Sequence, residues 1–305
     1  MNILISGATG FIGTYLLKKL LDEGHRCRCL VRRLDNLDPF FHRKNVEVYL
    51  GDVTDINSLN KVGKDIDAAY HLAGAGHVAA VSGEGYREAI DINVKGTLNF
   101  VKACAIDGVK RLIHFSSTAA MGLTKAPKLD EKTPCHPRTP YQKSKYLGEI
   151  AAVETGKKFG METIVLRPCM VFGPGGRGEF FKFCRLINLG LFPRIGLGEN
   201  LTPIVYVRDV IHAAVKALYE GRPGEIYVIA SRGSLPLKDI HRYICVGLNI
   251  RGKEPLVSRM NITSTVTGRT FDIRKAMDEL FYRPETALDR AIACTAKYFK
   301  KESML

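Results

Sequence analysis

The first thirteen residues place the strongest constraint on the fold. Residues 2–6 have the composition of a short buried strand, and Gly7, Gly10 and Gly13 follow directly, ahead of a helical pattern at 11–23. In such a unit the first glycine makes the tight turn, the second lets the backbone approach a pyrophosphate and the third lets the helix pack against the strand. The helix amino terminus then faces the phosphates. A glycine turn with no binding role is the alternative. The predicted cofactor contacts in this segment are Gly7, Thr9, Gly10, Phe11, Ile12 and Gly13.

Alternating strand and helix patterns in the first half predict an α/β fold with a doubly wound parallel Rossmann sheet. The predicted strands are 2–6, 26–32, 46–50, 67–72, 110–116 and 162–167. The predicted helices are 11–23, 55–62, 86–107 and 141–159. After 173–178 the pattern becomes irregular, and it returns to a strand only at 224–229.

Tyr141 and Lys145 are the leading candidates for chemistry. Positions i and i+4 lie on one helix face, so both side chains are expected to point into the same space. There the ammonium would lower the pKa of the phenol, which makes the phenol a usable acid or base near neutral pH. Without the preceding dinucleotide motif, the pair would count only as two common surface residues.

Several further segments carry a family resemblance. They are Gly51–Asp55, His71–Gly74, Asn93–Thr97, Phe115–Ala119 and Arg167–Gly175. Together with the glycine turn and the Tyr-x-x-x-Lys pair, they resemble the extended short-chain dehydrogenase/reductases, the NAD-dependent epimerase/dehydratase family. The resemblance covers nearly the whole chain in the order that the family has.

The resemblance implies a catalytic set. Tyr141 would exchange a proton with the substrate oxygen, Lys145 would hold the nicotinamide ribose and lower the tyrosine pKa, and Thr118 would hydrogen-bond the reacting oxygen. Asn93 matches a position that steadies a helix near the site; a helix-interior Asn bonded to backbone is the alternative. Further implied cofactor contacts are Asp52, Val53, Ala73, Gly74, Ser116, Pro168 and Val171, with Tyr141 and Lys145. For Ser116, a strand-end hydroxyl with a structural role is equally consistent.

The resemblance also implies two domains and a homodimer. Residues 1–172 with about 204–230 would form the dinucleotide-binding domain, and about 173–203 with 231–305 would form a smaller, discontinuous substrate-binding region. The dimer would form through helices 86–107 and 141–159, where Leu98, Val101 and Ala105 supply apolar surface or face the core.

The end of the second strand predicts the cofactor. Enzymes that prefer NAD carry an acidic residue there, and alignment on Gly24-His25 places Val31 at that position with Arg32 and Arg33 after it. Two guanidiniums can bind a 2′-phosphate bidentately, which favours NADP(H). NAD(H), with Asp35 at the ribose and both arginines in solvent, is the alternative.

Composition fits a soluble enzyme with a small-molecule substrate. The 305 residues are 46% hydrophobic, no apolar run has the length of a membrane span, and Met1 leads directly into the first strand, so a cytoplasmic location is expected. The net charge of +14 is dispersed, which argues against a nucleic-acid or membrane partner. The eight scattered cysteines and the histidines form no metal-ligand pattern, so no metal is predicted.

Three reaction classes compete. The leading hypothesis is an oxidoreductase acting on a carbonyl or secondary alcohol, similar to dihydroflavonol-reductase-like and sterol-dehydrogenase-like members. The second hypothesis is a nucleotide-sugar epimerase. Met170 and Thr202 argue against it, because they occupy positions where such enzymes carry Asn and Arg. Arg177, Arg185 or Arg194 could replace these residues as phosphate ligands. The third is an inactive cofactor-binding regulator. A dehydratase is disfavoured because Ala119-Ala120, rather than Asp-Glu, follow Thr118.

Overall fold

The structure is a computed structural model of the full chain. It describes residues 1–35, 37–76, 83–122, 128–195, 198–250, 256–258 and 269–305. The sequence predicts that loops 75–88, 119–139 and 175–203 determine substrate identity. Parts of these loops lie outside the described residues, as does the side chain of Arg194.

Seven parallel strands form the central sheet. They are β1 (Asn2–Ser6), β2 (Arg26–Val31), β3 (Val46–Leu50), β4 (Ala68–His71), β5 (Arg111–Phe115), β7 (Glu162–Pro168) and β12 (Ile226–Ile229). Their order is β3-β2-β1-β4-β5-β7-β12, and every neighbouring pair is parallel. The strand order reverses beside β1, which in a doubly wound sheet creates a crevice at the carboxyl ends of the strands. The predicted fold class is confirmed.

Helices cover both faces of the sheet and continue into the second half of the chain. They are α1 (Phe11–Asp22), α2 (Gly83–Ile90), α3 (Thr97–Ile106), α4 (Pro140–Lys158), α5 (Glu179–Asn188), α6 (Val207–Glu220), α7 (Leu237–Leu248), α8 (Arg274–Glu279) and α9 (Leu288–Lys301). None of the helices that the structure describes is long and apolar enough to cross a bilayer.

Two apolar cores pack against the sheet, one on each face. The larger includes Leu16 and Leu17 of α1 with Ala213 and Ala214 of α6. The other includes Phe100 and Val101 of α3, with residues of β4 and β5. We call this part of the chain, the seven strands with α1, α2, α3, α4 and α6, the sheet region.

The remaining elements form the ribbon region. They are α5, α7, α8, α9 and the short strands β6 (Lys128–Leu129), β8 (Met170–Phe172), β9 (Pro193–Ile195), β10 (Leu201–Thr202), β11 (Ile204–Tyr206), β13 (Leu235–Pro236), β14 (Leu256–Ser258) and β15 (Thr270–Phe271). The strands pair two by two, as β10–β13, β11–β8, β14–β9 and β15–β6. A third core, with Phe172, Phe180, Ile240 and Phe299 fully or almost fully buried, lies here.

Three local predictions differ from the structure. The helix predicted at 55–62 is only a 3-10 turn at Ile56–Leu59, begun by Asp55, whose side chain accepts a hydrogen bond from the Asn57 amide. The helix predicted at 86–107 contains a π-helical segment at Asp91–Gly96 between α2 and α3. Helix α6 was not predicted.

Candidate active site

The glycine turn after β1 has the geometry that the sequence predicted. Gly7 has a φ of 73°, and the Gly10 amide donates to the Gly7 carbonyl at 3.0 Å. A Cβ on Gly13 would lie 2.1 Å from that carbonyl oxygen, and a Cβ on Gly7 would lie 2.7 Å from the Ala73 amide nitrogen. Side chains are therefore excluded where the helix and β4 approach the turn. This close-packed turn at a helix amino terminus fits a dinucleotide diphosphate.

The start of α1 is covered by the loop after β8. Thr9 and Gly10 are exposed, while Phe11 and Ile12 are half-buried. A Cβ on Gly176 would lie 2.9 Å from the Phe11 ring, and the Tyr15 hydroxyl donates to the Pro174 carbonyl at 3.1 Å. The loop and the glycine turn therefore border the same crevice.

Four of the predicted cofactor contacts lie just after β2 and β3. Arg32 and Arg33 directly follow β2 and are exposed. Asp52 follows β3, and its Oδ1 accepts hydrogen bonds from the amide and the hydroxyl of Thr54, both at 2.8 Å. Val53 is buried against Gly96, so its side chain belongs to the core. Only its backbone is available to a ligand.

Tyr141 lies in the first turn of α4, which the sequence specifies strongly. Thr139 is the N-cap, its hydroxyl accepts from the Gln142 amide, the Gln142 side chain accepts from the Thr139 amide, and Pro140 opens the helix. The side chain of Tyr141 is hydrogen-bonded to that of Ser117 at the end of β5. Burial raises the pKa of Tyr141, and the Ser117 hydrogen bond acts in the opposite direction.

Lys145 lies one turn further along α4. Its ammonium donates to the Phe115 carbonyl at 2.9 Å, and burial lowers its pKa to about 8. A Cβ on Gly74 would lie 3.8 Å from the Lys145 Nζ, so the end of β4 also borders the lysine. The expected lowering of the Tyr141 pKa is wrong for this structure, because burial of the phenol is the largest influence and raises its pKa.

Asn93 connects the π-helical segment to α4. Its Oδ1 accepts from the Ala75 amide at 2.8 Å, and its Nδ2 donates to the Ser144 hydroxyl at 2.9 Å. Ser144 in turn donates to the Tyr141 carbonyl at 2.9 Å. Asn93 therefore bonds to backbone, as the structural alternative has it, and also connects to α4.

The remaining predicted contacts lie at the carboxyl ends of adjacent strands. Ala73 donates from its amide to the Ser6 hydroxyl at 3.3 Å. The Ser116 hydroxyl is buried after β5 and has no hydrogen-bond partner within the described part of the chain. Pro168 ends β7 opposite Ile229, and Val171 lies in β8 opposite Val205.

Two site features were missed in the sequence. The first is the Ser117 hydroxyl bonded to Tyr141; the backbone of Ser117 is extended, with φ −162° and ψ 151°, and Thr118 begins a 3-10 turn. Successive extended residues point to opposite sides, so Ser116 and Ser117 cannot both face α4. The second is the buried ion pair of Glu149 on α4 with Arg167 on β7, joined by a 2.9 Å bond from Arg167 Nε. Spacing along the chain gives no signal for either.

Comparison with known proteins agrees with this architecture. The family model described as NAD dependent epimerase/dehydratase family matches residues 3–230. A trifunctional UDP-glucose 4,6-dehydratase/UDP-4-keto-6-deoxy-D-glucose 3,5-epimerase/UDP-4-keto-L-rhamnose-reductase of Arabidopsis thaliana is 29% identical over 82% of this chain and 40% of its own length. This chain thus spans well under half of that relative.

A second relative matches over nearly its entire length. The N-acetyl-alpha-D-glucosaminyl-diphospho-ditrans,octacis-undecaprenol 4-epimerase of Escherichia coli O157:H7 is 27% identical over 99% of this chain and 98% of its own. Among solved structures, a dTDP-glucose 4,6-dehydratase of Streptomyces venezuelae with NAD bound has a TM-score of 0.86 at 23% identity, covering 100% of this chain and 98% of that one. At this identity the structural likeness concerns the fold alone.

Proposed function

The chain belongs to the NAD dependent epimerase/dehydratase family and is an enzyme of the extended short-chain dehydrogenase/reductase type, and from this premise we propose that it transfers hydride reversibly between a nicotinamide cofactor and a carbonyl or secondary-alcohol carbon. The hydrogen bond between Tyr141 and Ser117, one helical turn from the buried ammonium of Lys145, carries this proposal. The Tyr141 phenol, the Ser117 hydroxyl and the Lys145 ammonium thus lie together near the carboxyl ends of β4 and β5.

We assign each side chain one task. Tyr141 gives a proton to the substrate oxygen in reduction and removes it in oxidation. Ser117 donates to or accepts from the same oxygen, the role that the family resemblance implies for Thr118. Lys145 supplies a buried positive charge one helical turn from Tyr141, and Asn93 with Ser144 holds the first turns of α4 in place. The bound cofactor supplies or accepts the hydride.

Substitutions of Tyr141, Ser117 and Thr118 test these assignments. Tyr141→Phe removes the transferable proton and is expected to lower kcat by at least about 10³-fold while leaving cofactor affinity within about twofold. Ser117→Ala is expected to cost about 10²-fold, and Thr118→Ala, its matched control one residue along, is expected to cost much less. Normal turnover by the Phe variant defeats the mechanism, and a larger loss from Thr118→Ala returns the oxygen-binding task to Thr118.

For the cofactor we propose NADP(H), with Arg32 and Arg33 as ligands of the 2′-phosphate. Both are exposed directly after β2, whose last residue, Val31, is buried and apolar. The family description names NAD, and the NAD(H) alternative places Asp35 at the ribose. Calorimetric titration with NADPH and NADH separates the two.

Arg32→Ala and Arg33→Ala are each expected to weaken NADPH binding about tenfold and to leave NADH binding unchanged. Arg26→Ala, at the opposite end of β2 and also exposed, is the matched control. Tighter binding of NADH than NADPH by the unsubstituted enzyme overturns the proposed preference.

A second candidate function is epimerisation of a sugar carried on a diphosphate. The observation favouring it is the near full-length match to a 4-epimerase. An epimerase would use the same Tyr141 to oxidise and then re-reduce one carbon. A dehydratase has less support, because Thr118-Ala119 follow Ser117 and supply no carboxylate to assist loss of water.

Product analysis distinguishes reduction from epimerisation. The purified enzyme is incubated with ketones and with UDP-, GDP- and dTDP-sugars, and both NADPH consumption and sugar configuration are measured. Net NADPH oxidation with a ketone supports the reductase. Changed sugar configuration without net cofactor consumption supports the epimerase and displaces the reductase.

We also propose a homodimer through α3 and α4. Leu98, Ile106 and Leu147 are 45%, 65% and 42% exposed on these helices, whereas Val101 is buried in the core and is not available. Light scattering at micromolar concentration is expected to give twice the monomer mass; a monomer mass overturns the proposal.

A further inference from the structure

His71 is the last residue of β4 and has a hydrogen bond at each ring nitrogen. Its side chain is fully buried. The Nδ1 lies 2.6 Å from the Ser6 hydroxyl oxygen, and the Nε2 lies 2.9 Å from the Thr97 hydroxyl oxygen. The ring stacks on Phe100, with centroids 4.6 Å apart. One buried imidazole thus connects three elements of the sheet region, β1, β4 and α3.

The Thr97 hydroxyl determines which ring nitrogen carries the proton. It donates to the Asn93 carbonyl at 2.8 Å, because a carbonyl oxygen only accepts. A hydroxyl has one proton, so the Thr97 oxygen accepts from His71, and Nε2 carries the hydrogen. Burial lowers the pKa of His71 to about 3 and keeps the ring neutral, so Nδ1 accepts from the Ser6 hydroxyl. The Ser6 oxygen accepts from the Ala73 amide at 3.3 Å. All these hydrogen bonds therefore run in one direction, toward the Asn93 carbonyl.

This hydrogen-bond chain joins the glycine turn to the π-helical segment. Ser6 ends β1, directly before Gly7. At the other end, the Thr97 amide donates to the Val94 carbonyl, and the Thr97 hydroxyl binds the Asn93 carbonyl within the π-helical segment. Segments of this kind are frequent at functional sites. The histidine therefore lies between the predicted cofactor turn and the segment that holds α4.

Asn93 carries the connection on to α4. A Cβ on Gly148 of this helix would lie 2.1 Å from the Asn93 carbonyl oxygen. The Asn93 Nδ2 donates to the Ser144 hydroxyl, also on α4. The same carbonyl thus contacts the Thr97 hydroxyl and the backbone of α4, so a shift of this carbonyl would move the helix that carries Tyr141.

We infer that His71 is a positioning residue that fixes α4, and with it Tyr141, relative to the glycine turn that holds the cofactor. Hydride and proton transfer need the cofactor and the acid at set positions around one substrate, and a misplacement of about 1 Å can cost about 100-fold in rate. The inference rests on the proposed function, because it takes Tyr141 and a cofactor to act on the same substrate. It adds a fully buried core residue to the groups that determine the rate.

His114 is a matched control for His71. It lies opposite His71 on β5, is 3% exposed, and stacks on it with ring centroids 5.4 Å apart. Both of its ring nitrogens are without a hydrogen-bond partner among the residues that the structure describes. The two histidines share strand position, burial and ring contacts, and they differ in their hydrogen bonds.

Phenylalanine at each position tests this difference. His71→Phe removes both hydrogen bonds, and we expect kcat to fall at least about tenfold while cofactor affinity stays within about threefold. His114→Phe is expected to keep both values within about twofold. Turnover is measured on the substrate found by product analysis, and urea unfolding verifies that each variant is folded. Full kcat in a folded His71→Phe enzyme overturns the proposal.

Thr97→Val interrupts the same chain at its next bond and preserves the shape of the side chain. We expect a similar fall in kcat, and we expect the double variant with His71→Phe to be no slower than the slower single variant, because both changes break one connection. A merely structural histidine leaves the kcat of Thr97→Val unchanged or gives a double variant slowed by the product of the two factors. This milder variant also tests the proposal if His71→Phe does not fold.

NMR of the unsubstituted enzyme with ¹⁵N-labelled histidine tests the direction of the chain. We expect one ring with a slowly exchanging proton on Nε2 and an unprotonated Nδ1, and we expect its signals to be lost in His71→Phe and kept in His114→Phe. A proton on Nδ1 overturns the chain and the proposal with it.

Tyr141→Phe distinguishes failure of the positioning role from failure of the proposed function. Full turnover in Tyr141→Phe defeats the proposed function, while the NMR result is unaffected. Loss of turnover in Tyr141→Phe together with full kcat in folded His71→Phe defeats the positioning role alone.

Discussion

The sheet region and the ribbon region differ in how far apart along the chain their paired segments lie. In the sheet region β2, β5, β7 and β12 each follow an α-helix close by in the chain, and all seven strands run parallel. In the ribbon region, pairs of short strands join distant parts of the chain, as Lys128–Leu129 does with Thr270–Phe271. The glycine-turn crevice is therefore held by local units, whereas the ribbon region depends on long-range pairing.

Adding one methyl group to each region should give the largest contrast. In Gly13→Ala the new Cβ would lie 2.1 Å from the Gly7 carbonyl oxygen and 2.9 Å from the Ala8 Cα, so backbone must move. We expect about 3 kcal/mol of destabilisation and at least about 100-fold weaker cofactor binding. Chemical denaturation and cofactor titration measure these effects.

Gly233→Ala is the matched change in the ribbon region. No atom lies within 4 Å of its added Cβ, and we expect less than about 0.5 kcal/mol of change. Equal effects of the two substitutions would remove the proposed difference in packing between the regions.

Acid should weaken the sheet region through two buried histidines. Burial lowers the pKa of His71 to about 3, from an ordinary 6.5, and places that of His114 well below its usual range. Below pH 6.5 both histidines are protonated in the unfolded chain but stay neutral in the folded chain. The free energy of unfolding therefore falls as the pH falls from about 6.5 toward 3. At pH 5 each histidine costs about 2 kcal/mol relative to pH 7.

His114→Phe isolates one of these contributions. Both ring nitrogens of His114 are buried and have no hydrogen-bond partner in the described residues, so an apolar ring of similar shape should be tolerated. We expect similar stability at pH 7 and a gain of about 2 kcal/mol at pH 5, measured by urea unfolding at both pH values. An identical pH dependence in the variant would assign the acid sensitivity to other groups.

The smallest expected effect lies in the ribbon region. Phe281 has a φ of 52° and is 53% exposed, a backbone conformation that bulky residues adopt at a cost. Phe281→Gly should relieve this strain and, after the extra freedom of glycine in the unfolded chain, stabilise by about 0.5 kcal/mol. Phe281→Ala keeps the Cβ and should not stabilise by this route. Loss of stability in the glycine variant would show that the ring contributes packing.

The two regions also differ in what the sequence could predict. The glycine turn, the parallel sheet and the position of Tyr141 and Lys145 on one helix follow from local spacing, and the structure has them as predicted. The 3-10 turn at Ile56–Leu59 and the bond between Ser117 and Tyr141 depend on individual side-chain hydrogen bonds, which spacing does not give. The position of Arg269 beside Leu201 depends on pairing between segments that no periodic pattern connects.

The bond between the Lys145 ammonium and the Phe115 carbonyl has a consequence for the entropy of binding. A free lysine side chain has about 2 kcal/mol of rotamer freedom to lose. Here folding has already restricted that freedom, so an arriving ligand that contacts the ammonium does not have to order it. The side-chain entropy of Lys145 is thereby lost on folding and not on binding, which favours ligand affinity.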